Sequence, residues 1–199
     1  MLIGFGNKKL GKNILTFSLP PVFTCPGSTP YCRKICYAKK GLMLLPTVLK
    51  SWTQNFQQSQ EPDFVDKVVG DVKNKLTKNP NIKAMRIHVA GDFYSQAYLE
   101  KWKQIAKLLP ELRFAAWTKS WMLDFSNLPE NFVVFYSMMK DTEHVADLSR
   151  TAVVVDNLEY AKKINGFLCP YEELKGSACE KCFVCYSANP PQTVVFRKH

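Results

Sequence analysis

Short apolar runs alternate with longer amphipathic stretches along most of this chain. Runs of about four to eight mainly apolar residues that are bounded by turn residues indicate buried β-strands. They fall at 13–19, 84–91, 112–118, 132–138 and 151–156, with two shorter candidates at 166–169 and 193–197.

Three stretches between these strands have helical periodicity. They are 46–58, 63–78 and 95–109. In the second stretch, apolar side chains recur every four residues from Phe64 to Leu76, so one face of the predicted helix is apolar. Ser95 stands at the start of the third and is a suitable N-cap residue.

Near-continuous apolar strands separated by helices are typical of parallel strands that are buried on both faces. Six or seven such units in 199 residues favour an α/β fold, either a small or incomplete (β/α) barrel or, as the alternative, an open doubly wound sheet. We expect a single domain over residues 1–199, with a cysteine-rich, cluster-binding segment at 165–190 within it. In either fold, chemistry is expected at the carboxyl ends of the strands.

Several chemically distinctive residues follow these predicted strands directly. If the strands are parallel, all of these residues share the edge of the sheet where the strands end, which we call the rim. They are Cys25, Cys32, Cys36, Gly91, Asp92, Lys119, Ser120, Met138, Asp156 and Cys169.

The composition, 46% hydrophobic and 22% charged, is that of a globular protein. No apolar run approaches the length of about 18–20 residues that a membrane span needs, and the N-terminus lacks the apolar core of a signal peptide. We therefore expect a cytoplasmic protein. Cytoplasmic thiols are kept reduced, and the odd number of cysteines, seven, also argues against a disulfide framework.

Four cysteines near the C-terminus follow the spacing Cys169-x9-Cys179-x2-Cys182-x2-Cys185; we call them the C-terminal cysteine group. A [4Fe–4S] cluster takes one thiolate at each of four irons, and such compact spacing meets that need. Zinc usually takes two separated Cys-x2-Cys pairs. The spacing favours iron–sulfur over zinc, and zinc remains the alternative.

A second set, the N-terminal cysteine group, has the spacing Cys25-x6-Cys32-x3-Cys36. Three thiolates leave one iron of a [4Fe–4S] cluster without a protein ligand, so that iron could bind a substrate or cofactor. Alternatively, His88 supplies a fourth ligand. Strand alternation places Arg86, His88 and Ala90 on one face, where His88 is more readily an ordinary core histidine.

The loop around the N-terminal group is rich in proline, glycine and cations. We expect Pro26, Gly27, Pro30 and Gly41 to give it a non-helical path around a cluster. The cations nearby would offset the negative charge of a thiolate-bound cluster. They are Arg33, Lys34, Lys39 and Lys40.

A net charge of +10 suits an anionic partner, either a small molecule or nucleic acid, although lysines at helical spacing are equally typical of solvated faces. At the rim, Asp92 could hold an ammonium or hydroxyl group of a ligand, and Lys119 and Ser120 could hold its anionic part. The alternative for Asp92 is that it caps the following helix. Two classes of function remain: a redox enzyme with an open-site cluster and an auxiliary cluster, and a non-enzymatic metal protein that docks nucleic acid or a protein partner.

The stretch CPGSTPYCRKICYA, the AGDF turn and the C-terminal cysteines together resemble the phage-encoded gene product 88 family. This resemblance covers most of the chain. It implies a viral or mobile-element origin but indicates little chemistry.

A partial resemblance links the chain to radical S-adenosylmethionine enzymes. Cys32-x3-Cys36 begins like their Cys-x3-Cys-x2-Cys signature, although Lys39 stands where the third cysteine should be. Ala90-Gly91-Asp92 resembles their glycine–glycine–acid turn, with one glycine fewer. This resemblance implies S-adenosylmethionine as a cofactor held near Gly91 and Asp92. An enzyme of this type would need a reductant such as a flavodoxin or ferredoxin.

Overall fold

The computed structural model describes residues 3–142, 150–155, 159, 163–173 and 178–197. Eight strands form one sheet with the spatial order β1-β2-β3-β4-β5-β6-β8-β7. The strands are β1 (Gly4–Phe5), β2 (Ile14–Phe17), β3 (Ala84–Ile87), β4 (Arg113–Thr118), β5 (Phe132–Met138), β6 (Thr151–Val155), β7 (Phe167–Leu168) and β8 (Thr193–Arg197).

The strand predictions are confirmed, with ends that differ by up to four residues. From β2 onward every pair of neighbouring strands is parallel, as the apolar runs predicted. β1 was not predicted; it is antiparallel to β2. β6 ends at Val155, and position 156, where Asp156 was expected at the rim, lies outside the described residues.

A closed barrel is excluded, because the sheet is open with β1 and β7 at its two edges, and the predicted incomplete barrel is not confirmed. The doubly wound alternative does not fit either. From β2 to β6 each strand lies beside the next one in the chain, so the winding runs in one direction, whereas a doubly wound sheet reverses it. The fold is therefore mixed α/β with an open, mostly parallel sheet.

The three predicted helices are confirmed and cover one face of the sheet. Since successive crossovers are right-handed and run in one direction, their helices fall on the same side. The main core forms there, between the apolar faces of α3 and α4 and the alternate strand residues that point toward them. The helices are α1 (Pro30–Ile35), α2 (Pro46–Gln60), α3 (Phe64–Lys78), α4 (Gln96–Leu108), α5 (Pro170–Glu173) and α6 (Cys179–Cys182).

Ser95 caps α4 as predicted, since its side-chain oxygen accepts a hydrogen bond from the Tyr98 N–H at 3.3 Å. No helix in the described part of the chain is long and apolar enough to cross a membrane.

The other face of the sheet is covered by the cysteine-rich segment 178–187. Cys179, Cys185 and Tyr186 pack there against Ala115 and Trp117. Hydrogen bonds fix the segment at both ends. The N–H groups of Cys179 and Glu180 donate to the carbonyls of Lys9 and Leu10, at 2.8 and 3.0 Å, and Arg113 donates to the carbonyls of Tyr186 and Ser187, at 2.9 and 2.8 Å.

His88 and Arg86 lie on opposite sides of the sheet, so the predicted alternation is wrong at this point. β3 ends at Ile87, and the backbone turns there so that His88 enters the helix-side core. The His88 ring contacts Phe17 and Phe93, and its Nε2 lies 2.9 Å from the Tyr98 hydroxyl. His88 is therefore a core residue, as the simpler interpretation predicted.

Candidate functional site

The loop that carries the N-terminal cysteine group lies across the rim and is tied to the turn after β3. The Leu19 N–H donates to the Ala90 carbonyl at 2.8 Å. Gly91 has a φ of +82°, and a Cβ there would lie 2.6 Å from the Leu19 Cβ and 2.7 Å from the Thr24 Oγ1. Only glycine suits both the conformation and the close approach.

The same loop contains a helix, so the predicted non-helical path is wrong for Pro30–Ile35. Pro30 stands at the start of α1, where its missing N–H costs nothing, and the Thr29 side chain caps the helix by accepting from the Cys32 N–H at 3.1 Å. Because α1 places Cys32 four residues before Cys36, about one helical turn separates the two thiols.

Asp141, in the segment after β5, fixes the start of this helix. Its carboxylate accepts from the Thr29 hydroxyl at 2.8 Å and from the Tyr31 N–H at 3.0 Å. The loops after β2, β3 and β5 are thus joined at the rim, as the parallel arrangement predicted.

Gly27 packs directly on the backbone at the end of β4. A Cβ at this position would overlap the carbonyl of Lys119 and lie 2.9 Å from the Ser120 N–H. Gly27→Ala must therefore push the cysteine loop away from β4, and we expect it to lower the free energy of unfolding by about 1–3 kcal/mol, measured by urea titration.

Gly70 provides the matched control for this substitution. It lies in α3, and nothing is within 4 Å of the position that an added Cβ would take, so Gly70→Ala should raise stability by about 0.5–1 kcal/mol. Shifts of the same sign in both variants would contradict the close packing of Gly27.

Asp92 joins the turn after β3 to the end of β4. It is 4% exposed and accepts hydrogen bonds from the Phe93 N–H at 2.8 Å, the Thr118 hydroxyl at 2.5 Å and the Lys119 N–H at 2.7 Å. Burial raises its pKa, and these hydrogen bonds oppose the rise. Asp92 does not cap α4, because Ser95 does. One of its roughly four acceptor positions is left for a ligand.

Lys119 and Ser120 follow β4 at the rim, as predicted. Ser120 is fully buried, and its Oγ has no hydrogen-bond partner among the described residues. Lys119 is half-buried and makes no ion pair within the described ranges, yet its charge acts on both Cys32 and Asp141. A buried hydroxyl and a cation therefore adjoin the N-terminal cysteine group.

The three thiols of the N-terminal cysteine group lie close enough to affect one another's ionisation. Burial, and after it the negative charges of Asp92, Cys32 and Cys36, raises the pKa of Cys25 to about 12. Burial also raises the pKa of Cys32, while the cation of Lys119 opposes the rise. Without a metal ion Cys25 and Cys32 hold their protons, which a bound metal would displace.

The cations that were predicted to serve this group are differently placed. Arg33 donates to the Ser28 carbonyl at 2.5 Å, and Lys39 donates to the Arg33 carbonyl at 3.3 Å. Lys34 and Lys40 are exposed. Lys119, which directly follows β4, is a cation that does act on this group, through Cys32.

The C-terminal cysteine group is also assembled, on the second face of the sheet. Burial, and after it the negative charges of Cys179 and Cys169, raises the pKa of Cys185 to about 12. Burial likewise raises the pKa of Cys179, and the nearby cation of Arg86 opposes the rise. Cys182 acts on both of these thiols.

Local geometry explains how α6 presents its cysteines to the sheet. Phe183 ends the helix with a positive φ of 54°, and its N–H donates to the Cys179 carbonyl at 2.8 Å. This left-handed residue reverses the chain. Cys179 and Cys185, on either side of it, can therefore pack on the same strands.

Beside this group lie the Arg86 cation, whose Nε donates to the His88 carbonyl at 3.2 Å, and two buried hydrogen-bond donors without acceptors. The Arg86 guanidinium stacks on the Trp117 ring, 3.6 Å from its centroid, and makes no ion pair in the part of the chain described. The indole N–H of Trp117 and the hydroxyl of Tyr186 are buried, and neither has a partner among the described residues. These three residues were not predicted as site residues, although an arginine inside the apolar run AMRIHVA is an available signal.

The described residues contain no group of three or more Cys, His, Asp or Glu side chains arranged so that it could hold a metal ion. The seven cysteines are all free thiols.

The comparisons with known proteins identify the relatives of this chain. The family model described as "Gene product 88" matches residues 1–187. The "Gene 88 protein" of Mycobacterium phage L5 is 27% identical over 198 residues, and that of Mycobacterium phage D29 is 26% identical over 201 residues. Each alignment covers 87% of this chain and 82% of the relative.

No solved structure matches the chain. The relatives give no support to the radical S-adenosylmethionine resemblance, which rests on the motifs alone. The family model spans nearly the whole chain, and the chain therefore belongs to the phage Gene product 88 family.

Proposed function

We propose that this protein is an iron–sulfur protein with two [4Fe–4S] clusters, one held by each cysteine group. The observation that carries the proposal is the gathering of the seven cysteines into two sets of interacting thiols, six of them half-buried and one, Cys169, buried. A [4Fe–4S] cluster takes its ligands at separate irons, so its thiolates surround a volume and need not converge on one point. When bound, such clusters supply single-electron chemistry.

The surroundings of the C-terminal cysteine group fit a negatively charged cluster. Four thiolates on a [4Fe–4S] core give a net negative charge, which an adjacent cation and N–H or O–H donors stabilise. Arg86, Trp117 and Tyr186 supply one cation and two buried donors without acceptors, directly beside Cys179 and Cys185. Since an unpaired buried donor is costly, a cluster at this place would satisfy groups that are otherwise orphaned.

The N-terminal cysteine group provides three thiolates, and polar side chains from the loops after β3 and β4 lie beside it. His88, the alternative fourth ligand, is turned into the helix-side core, so in our proposal Cys25, Cys32 and Cys36 would hold the cluster and one iron would have no protein ligand. In our proposal Lys119 and the buried hydroxyl of Ser120 bind the anionic part of a small ligand there. Asp92 accepts from its ammonium group, and Gly91 allows the turn to lie close to it.

S-adenosylmethionine has the required ammonium and carboxylate groups, and it is the ligand that we propose for this site. The protein would then be a redox enzyme of radical S-adenosylmethionine type. The support consists of the Cys32-x3-Cys36 spacing, the Gly91–Asp92 turn and their convergence at one rim.

The test is metal analysis of protein made and purified anaerobically, with iron, acid-labile sulfide and zinc counted per chain. We expect about eight irons and eight sulfides, a broad visible absorption band and an EPR signal after reduction. Stoichiometric zinc with no iron would overturn the cluster proposal. Addition of S-adenosylmethionine to the reduced protein should change the EPR signal; an unchanged signal would overturn the ligand assignment while leaving the clusters in place.

A further inference from the structure

An exposed leucine stripe lies directly after the N-terminal cysteine group. Leu42, Leu45 and Leu49 are 77%, 46% and 39% exposed. The Leu45 N–H donates to the Leu42 carbonyl and the Leu49 N–H to the Leu45 carbonyl, at 3.3 and 3.0 Å, so successive turns place the three side chains in one row. Contiguous exposed apolar surface on a globular protein marks an interaction site.

The part of the sequence that carries the stripe is strongly basic. Residues 1–60 contain eight lysines and arginines and no aspartate or glutamate, so most of the net charge of +10 belongs to this part of the chain. Five of these cations are in the same loop or on the first turns of α2, and all five are exposed: Arg33, Lys34, Lys39, Lys40 and Lys50. Protein interfaces usually have an apolar centre with polar or charged residues around it. The positive charge near the leucines favours an acidic partner.

The side chains beneath the stripe also pack against the N-terminal cysteine group. On its inner side Met43, Val48 and Trp52 pack with Ala38, and Cys36 packs in the same small cluster. A partner that sits on the leucines therefore lies within one layer of side chains of a cysteine.

We propose that the leucine stripe is the docking surface for a small acidic electron-transfer protein. This inference rests on the proposed function, because a cluster at Cys25, Cys32 and Cys36 is what would receive an electron from the partner. One electron passes from the reduced carrier to the oxidised cluster, so the carrier is oxidised and the cluster reduced by the same single electron. A short path through the packing around Cys36 is what such a transfer needs.

The shape of the stripe favours a protein over a membrane or nucleic acid. Past Leu49 the apolar side of α2 turns inward, with Trp52, Asn55 and Ser59 buried, so the exposed row is about two turns long. Membrane-surface helices present a much longer apolar face. Nucleic acids are bound through phosphate contacts and aromatic stacking, to which leucines contribute little.

The experiment measures binding of a bacterial flavodoxin and a plant-type ferredoxin, both acidic, to anaerobically purified full-length protein. The test variant is Leu42→Glu/Leu45→Glu, whose changed side chains are exposed, so the fold should persist. The control is Leu108→Glu. Leu108 is 51% exposed and ends α4, which runs back from the rim to the opposite edge of the sheet. Circular dichroism and iron content are recorded for every sample.

We expect the wild type to bind at least one carrier with an affinity that falls as salt rises. The double variant should bind at least about tenfold more weakly, and Leu108→Glu should stay within about twofold. Equal binding by the double variant overturns the proposal, and so does a failure of both carriers to bind. Stripe-dependent binding of anionic vesicles or duplex DNA without carrier binding overturns it in favour of those partners. If the wild type lacks iron yet binds a carrier through the stripe, the docking surface stands and the proposed function fails.

Discussion

Cys182→Ser is expected to lose about half of the bound iron and to unfold at a temperature on the order of 10 °C lower than the wild type. The cysteine-rich segment is a full layer of the fold, and Cys179, Cys185 and Tyr186 close the second face of the sheet. If a cluster binds only to the folded segment, its binding free energy adds to the free energy of folding. Removing one of four thiolates weakens that contribution, by an amount we set at about 3–5 kcal/mol.

Cys182 is the most informative of the four thiols for this test. It is half-buried, while Cys169 is 8% exposed, so the Cys182→Ser change itself removes little apolar packing. A large loss of stability in Cys182→Ser would therefore come from the loss of a cluster ligand and not from a cavity. Iron content and thermal unfolding followed by circular dichroism, both under anaerobic conditions, are the two measurements.

Ala178→Ser is the matched control in the same segment. It introduces the same hydroxyl, but at the N-cap position of α6, where no side chain caps the helix and serine is favourable. Its iron content should equal that of the wild type, and its stability should be equal or slightly higher. Wild-type iron content and melting temperature in Cys182→Ser would show that the C-terminal group holds no structural cluster.

The strands and the longer helices were predictable because their signals are local. The apolar run 132–138 coincides with β5, and the four-residue repeat from Phe64 to Leu76 is the buried side of α3. Helix α1 was missed because its proline and cysteines suggested a loop. Proline at the first helical position with threonine before it is in fact a helix start, and the two signals compete in the same few residues.

Whether the sheet closes depends on pairing between distant strands, for which there is no local signal. A closed barrel needs its last strand to pair with the free edge of its first parallel strand. Here that edge of β2 is occupied by β1, which pairs Gly4 with Thr16 and Phe5 with Leu15 in antiparallel fashion. Gly4 and Phe5 thus occupy the hydrogen-bonding groups of β2 that a last strand would need in order to close the sheet.

The cysteines of the candidate site were found from spacing, but the residues around them were not. Arg86, Trp117 and Tyr186 come from β3, from β4 and from the turn after α6. Only the folding of segment 178–187 onto the sheet brings them together. A donor without an acceptor can be recognised only in the folded structure, because the spacing of residues along the sequence does not reveal it.

The buried imidazole of His88 should make the protein acid-sensitive well before its carboxylates are protonated. Burial, and to a smaller extent the nearby cation of Arg86, lowers the pKa of His88 from 6.5 to about 3. Between these two pH values the unfolded chain binds a proton at this position and the folded chain does not. Stability therefore falls as pH drops from 6.5 toward 3, with a slope approaching 1.4 kcal/mol per pH unit and a total of about 4–5 kcal/mol.

Two neighbouring groups affect how this pH dependence is measured. Tyr98, whose hydroxyl lies 2.9 Å from the imidazole, stays neutral throughout, because burial raises its pKa well above 10. Asp92 acts in the opposite direction, since its pKa is raised above 3.8 and the folded state takes up its proton first. A single stability curve therefore mixes the two effects, and the contribution of His88 must be obtained as a difference between proteins.

His88→Gln provides that difference, because glutamine can hydrogen-bond Tyr98 but does not titrate. Urea unfolding of both proteins at several pH values between 7 and 4.5 gives the free energy of unfolding for each. Asp92 and the cysteines are common to both, so their contributions cancel. The variant is expected to be less stable at pH 7, because it loses aromatic packing, and the gap should close by about 2–3 kcal/mol as the pH falls to 4.5. Parallel curves would show that His88 is not held neutral in the folded protein.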